Sequence, residues 1–203
     1  MEWYRHGRIL RLRIKLAATG LILILVWFLF PPLASWYLVD VDARGQDSVF
    51  VLESWDGSLG SFLSATTVVP REAPLFPVLY QRYAADSLMR ESIERNAVAA
   101  GFSNVSVIAV PMVEPKTLNA ARAAVESLSR RGVVSFCLVT PYFHTARSGN
   151  AYRRFARAQA ISVHVAGISY DFITPENWQQ SSAGYAIVFG EFVKKLYYDL
   201  TVW

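Results

Sequence analysis

The sequence predicts an α/β layered domain with a mostly parallel sheet and flanking helices, preceded by one N-terminal transmembrane segment. Three observations predict it. Residues 16–39 form a run of 24 without a charge. Downstream, short runs rich in Val, Ile and Phe alternate with longer stretches of helical period. Glycines close two of those stretches, at Gly101 and Gly132. Strands and helices in alternation argue for parallel strands joined by crossover helices.

The chain begins with a basic tail, residues 1–15, holding Arg5, Arg8, Arg11, Arg13 and Lys15 against Glu2. Beyond it, fifteen basic residues balance fifteen acidic ones, so the whole net charge of +4 sits in the tail. That distribution gives no basic face for nucleic acid. Leu16–Val39 is long enough to cross a bilayer. The basic tail before it, with Asp40 and Asp42 after it, places the N-terminus in the cytoplasm and residues 40–203 outside. Trp36 and Tyr37 suit the outer interface, and Pro31-Pro32 should end or kink the helix. A cleaved signal peptide is the alternative. Pro32-Leu33-Ala34 lacks the small first residue of a cleavage site, which favours an uncleaved signal anchor.

After the tail and the span, residues 40–203 form the third part, an extracytoplasmic α/β domain. The chain is 53% hydrophobic and 18% charged, enough apolar content for a packed core. Strands are expected at 48–54, 66–69, 105–110, 133–140 and 161–167, each short and apolar enough to be buried on both faces. Between them, Met89, Ile93, Ala97 and Ala100 form one helical stripe, and Leu118, Ala121, Val125 and Leu128 another. A last helix, about 178–200, is expected to bury Tyr185, Phe189, Phe192 and Leu196, with Glu191–Lys195 as a surface pair. Residues 55–77, with Pro70, Pro74 and Pro77, leave too short a crossover for a full-length helix. The single cysteine, Cys137, rules out an internal disulfide and lies in an apolar strand, where inert packing is expected.

The fourth strand opens onto Thr140, His144 and Arg147. In open parallel sheets ligands bind outside the carboxyl ends of the strands. His144 and Arg147 are three apart and share a helix face, beside the free N–H groups of the first turn. A histidine, an arginine fork and a helix N-terminus together suit an anion such as phosphate or carboxylate, and Thr140 adds a hydroxyl. The alternative is a solvated helix face with surface ion pairs, the expected role of Arg153, Arg154 and Arg157.

The motif Thr140-Pro-Tyr-Phe143-His144-Thr-Ala-Arg147 resembles the T-x-x-[YF]-H-x-x-R signature of the ElyC/SanA/YdcF-like family of envelope proteins. The chain end is similar to that family's W-x-x-S-x-x-G…E-x-x-K-x-x-Y-Y ending, through Trp178, Ser181, Gly184, Glu191, Lys194, Tyr197 and Tyr198. The similarity covers about 117–200 and is weak over 46–116. It implies a Rossmann-like α/β domain on the periplasmic side of a bacterial inner membrane. It also implies a role in cell-envelope polysaccharide or peptidoglycan biogenesis around lipid-linked intermediates. Thr117 is retained from the family's N-T-x-E-N motif and joins the anion-binding set, while its acidic position holds Asn119 here. The family's glycine-rich loop after the first strand is reduced to Gly57 and Gly60.

Other constellations carry less. Ser58, after Asp56-Gly57, has the setting of a turn serine rather than a nucleophile. His164 alternates with strand residues and is expected to be structural, while Asp171 and Glu176 suit turn and cap roles. No metal site, no cofactor and no nucleic acid partner are expected. The leading expectation is a membrane-anchored accessory or binding domain holding a phosphate-bearing group at Thr117, Thr140, His144 and Arg147. The first alternative is an enzyme acting on a lipid-linked or phosphate-bearing intermediate, with His144 as the candidate acid/base. The second is an interaction protein of a polysaccharide synthesis or export complex, with protein partners and no small ligand.

Overall fold

The structure is a computed structural model describing residues 18–21, 28–42, 47–53, 57–81 and 86–203. Among the described residues, five strands form one parallel sheet. They are β1 (Phe50–Leu52), β2 (Leu75–Gln81), β3 (Ile108–Pro111), β4 (Ser135–Pro141) and β5 (Ser162–Ile168). Their order is β3-β2-β1-β4-β5, every pair parallel. The helices are α1 (Leu59–Ala65), α2 (Asp86–Ala99), α3 (Lys116–Arg130), α4 (Thr145–Ala158) and α5 (Ser182–Thr201). The architecture is α/β and Rossmann-like, as the alternation of patterns predicts.

Side chains alternate across the pleat and so fill two cores. Val51, Val78, Val110, Phe136 and Leu138 meet α3 and α4 on one face. Phe50, Leu52, Leu75, Leu79, Cys137 and Val139 meet α1 and α2 on the other. Burial on both faces is why the strands are continuously apolar. Cys137 is buried, and that burial pushes its thiol up to about 12, in keeping with inert packing.

Two expectations about elements are corrected. Residues 66–69 are the turn after α1, not a strand, and the second strand is Leu75–Gln81. The hydroxyls of Thr66 and Thr67 donate back to Leu63 O and Ser64 O at 2.7 Å, which closes the helix end instead of extending the chain. Pro77 is tolerated because the β2–β3 ladder begins one residue later, at Val78↔Ile108.

The second correction concerns α5. It starts at Ser182, after a 3-10 turn at Trp178–Gln180, and Ser181 caps it by accepting from Gly184 N at 3.0 Å. It buries Gly184, Val188, Glu191, Lys195 and Tyr198, whereas Phe189 is 59% and Leu196 43% exposed. The reason is its place. It packs on the start of α4 and on helical residues 28–38, not on the sheet, and the α4 surface it meets carries His144 and Arg147. Gly184 is required there, since a Cβ would stand 2.0 Å from Trp178 O.

The expected tail, 1–15, lies outside the described residues, and the expected span, 16–39, lies partly outside them. Among the described residues no helix is long and apolar enough to cross a membrane. Residues 28–38 are helical straight through Pro31-Pro32. Ala34 and Leu38 bury against Phe143, Trp178 and Val188. Asp40 N donates to Thr145 Oγ1 at 2.9 Å, and Arg153 pairs with Asp40 and Asp42. This end of the apolar run is therefore docked on the domain, and Arg153 holds the connection rather than a solvated face.

Candidate functional site

Sheet order reverses between β1 and β4, and the carboxyl ends of those strands carry the polar residues. Glu53 follows β1 and extends its ladder by one bond, Glu53 N to Val139 O at 2.9 Å. Its carboxylate is fully buried beneath the first turn of α4. It accepts from Ser148 Oγ, from Thr140 Oγ1 at 3.4 Å and from Tyr80 Oη at 3.3 Å. His144 Nε2 stands 3.5 Å from it.

Across the site, α5 supplies a second buried carboxylate. Glu191 Oε2 accepts from Arg147 Nη2 at 2.8 Å and from Nε at 3.3 Å, and lies 3.0 Å from His144 Nδ1. Its other oxygen accepts from Lys194 Nζ at 2.8 Å. Arg147 Nη1 also donates to Thr117 Oγ1, at the start of α3. Its guanidinium lies over the Tyr198 ring, 5.2 Å from the centroid. So the structure brings Thr117, Thr140, His144 and Arg147 into one buried network.

Charge balance explains how such a network survives burial. Desolvation alone would raise both carboxyls. For Glu53 it is outweighed by His144, then Ser148 and Arg147, which hold the acid below its ordinary value of 4.5. For Glu191, His144, Arg147 and Lys194 outweigh burial and hold it well below the same value. Desolvation and the Glu53 charge push the Tyr80 phenol far up, so it stays protonated and donating. His144 Nδ1 lies 2.7 Å from Arg147 Nη2 as well as near Glu191. The first contact suits a ring nitrogen without a proton, the second one with it.

The network forms one wall of a cavity of about 1020 Å3 over the strand ends. Thr117 and Arg147 line it, with Lys116 and Lys194. Its apolar wall comes from Val78, Met89, Ile93, Met112 and Val193. Among the described residues, Arg147's partners take four of the five guanidinium N–H donors, leaving one on Nη1. His144 lines a separate cavity of about 300 Å3, bounded by Tyr170, Ile173 and Ile187. Thr140 is fully buried behind both. The expected residues therefore divide: two face the large cavity, one the small, and one supports Glu53.

Sequence reasoning missed Glu53, Tyr80, Ser148 and the role of Glu191. A carboxylate closing a strand buried on both faces was the available signal for Glu53. Glu191 stands in the chain-end motif, but Lys195, its expected surface partner, instead pairs with Asp199 at 2.8 Å. His164 pairs with Asp47 at 2.8 Å, away from the site, and Ser58 caps α1. Among the described residues no group of His, Cys, Asp and Glu is arranged to hold a metal ion. The chain matches no family model, and no curated protein is significantly similar to it.

Proposed function

We propose that this chain is a membrane-anchored domain of the ElyC/SanA/YdcF-like kind, with its N-terminus in the cytoplasm and residues 40–203 on the periplasmic side. In this reading it serves cell-envelope polysaccharide or peptidoglycan biogenesis by holding a phosphate-bearing group of a lipid-linked or glycan intermediate. The carrying observation is the large cavity, which joins cations to an apolar wall. The anion would meet Lys116, Thr117 and the remaining Arg147 N–H. The apolar part would lie on Met89, Met112 and Val193.

Magnitudes favour Lys116 as the exchangeable contact. Its present partner, Glu114, is 3.2 Å away on the surface. Such a pair contributes about 0–1 kcal/mol, so a phosphate displaces it at little cost. Arg147 differs, because breaking a buried pair costs about 3–5 kcal/mol. It positions the site and offers one hydrogen bond. Further support comes from the two segments that carry the family resemblance, which meet at Arg147–Glu191 although distant in sequence.

One observation favours the enzymatic reading: His144 stands between two carboxylates. It faces the smaller cavity, so the acid/base role would act on a substrate bound there. The reading without a small ligand requires a filled crevice, and the cavity volume speaks against it.

The test is mass spectrometry of lipids and glycans co-purifying with the full-length protein and with Met89→Trp, which narrows the cavity. A phosphate-bearing molecule on the wild type, lost from the variant, is expected. Identical profiles would remove the cavity from the account.

A further inference from the structure

The turn before α3 places a carboxylate at the start of that helix. α3 opens at Lys116 after Pro115, which gives it no side-chain cap. Its first intrahelical bond runs from Asn119 N to Pro115 O at 3.0 Å. The N–H groups of Lys116, Thr117 and Leu118 therefore find no acceptor within the helix, and the positive end of its dipole lies beside them. Glu114 supplies one acceptor from outside. Its Oε2 accepts from Lys116 N at 3.3 Å, and its Oε1 pairs with Lys116 Nζ at 3.2 Å. Asn119 braces the turn in that shape, because its Nδ2 donates to Val113 O at 3.2 Å and to Pro115 O at 3.3 Å. Glu114, Lys116, Thr117 and Arg147 all line the large cavity. Arg147 is buried there, and among the described residues one of its Nη1 N–H groups has no partner.

We infer that the first turn of α3 is the phosphate seat of the large cavity, and that Glu114 fills this seat in the unliganded chain as an internal anion which the ligand displaces. This rests on the proposed reading of the cavity as a phosphate site. A carboxylate and a phosphate are bound by the same groups, and Lys116 offers two of them, its N–H and its ammonium. Exchange is easy for two reasons. The Glu114 side chain is 76% exposed, so water solvates it once it is released. Both of its bonds go to Lys116, only two positions along the chain. Arg147 stays in place through Thr117, His144 and Glu191, and its remaining N–H adds to the seat. A tethered competitor lowers the affinity of every anion that uses the seat by the same factor. Inorganic phosphate and hexyl phosphate are thus weakened alike, and the ratio between them, set by the apolar wall, is untouched.

The experiment is calorimetry of the full-length protein with inorganic phosphate and with hexyl phosphate, comparing wild type, Glu114→Gln and Glu126→Gln. Glu126, exposed on α3 beyond its first turn, is the control for net charge. Glu114→Gln should tighten both ligands by the same factor, about fivefold, the upper end for an exposed ion pair, while Glu126→Gln stays near wild type. Wild-type binding that Glu114→Gln leaves unchanged or weakens would overturn the inference and leave the cavity reading standing. Equal gains in the two variants would make net charge the cause and overturn it as well. A gain for inorganic phosphate alone would place the head of hexyl phosphate off the first turn of α3, with the same consequence. No binding of either ligand to wild type or to Glu114→Gln would overturn both the inference and the reading beneath it.

Discussion

Glu53 and Arg147 show how two buried charges of opposite sign become compatible with a packed domain. Each has several hydrogen-bonding partners, and neither is left with an uncompensated charge. Arg147→Ala should therefore lower stability by about 3–5 kcal/mol, the cost of breaking a buried pair. Arg147→Met with Glu191→Leu should recover much of that loss, because both charges leave together. Urea titrations of the single and double variants check this, and additive losses would contradict it. The same carboxylates set an acid limit. Their folded values lie below 4.5, so their stabilisation is complete above that pH and falls as pH drops through the folded values. Unfolding free energy should be level near neutrality and decline below about pH 4.5. Glu53→Gln should flatten that decline while lowering stability at pH 7. Urea midpoints from pH 7 to 3 measure both effects.

At the scale of elements, four strands and the extent of α5 were legible, but β2 and the face that α5 buries were not. β4 and β5 fall where apolar runs predict them, since a strand buried on both faces leaves an unbroken signal. β2 was hidden by Pro77, whose effect depends on a register no local pattern reveals. The buried face of α5 was hidden for a different reason. A helix facing a sheet turns its apolar stripe inward, but this one turns Glu191 inward to meet Arg147 and leaves Phe189 outside. That Thr140, His144 and Arg147 lie together was legible because a motif and a strand end coincide, while Thr117 came only from a second motif at the start of α3. Glu53 was not, because its partners come from β2, β4 and α4. The β1–α1 connection makes a prediction of its own. α1 has seven residues, and Ser58 already accepts from its Ser61 N at 3.3 Å. The stretch 53–60 holds only Gly57 and Gly60, fewer than the three glycines of the dinucleotide fingerprint. Common nucleotides and S-adenosylmethionine should bind no tighter than about millimolar, roughly −4 kcal/mol. A micromolar constant by calorimetry would overturn this. Gly184→Ala should cost about 1–3 kcal/mol through the clash with Trp178 O, read as a lowered melting temperature.

The whole molecule joins a two-core sheet, a cavity over the carboxyl ends of β2 and β3, and a docked helix that is itself part of the uncharged run. In the proposed arrangement residues 40–203 lie on the periplasmic side. A reporter fused after Trp203 should then be active only outside the cytoplasm, and cytoplasmic activity would end the envelope reading. The central claim is that the cavity holds a phosphate joined to an apolar chain, and calorimetry with hexyl phosphate against inorganic phosphate tests it most directly. Each methylene buried on Met89, Met112 and Val193 contributes about 0.8 kcal/mol, so hexyl phosphate should bind at least roughly tenfold tighter than phosphate. Lys116→Ala should weaken it by about 1.5–3 kcal/mol, and Met89→Trp should abolish it. Equal affinity for the two ligands, or hexyl phosphate binding that neither substitution changes, would contradict the account.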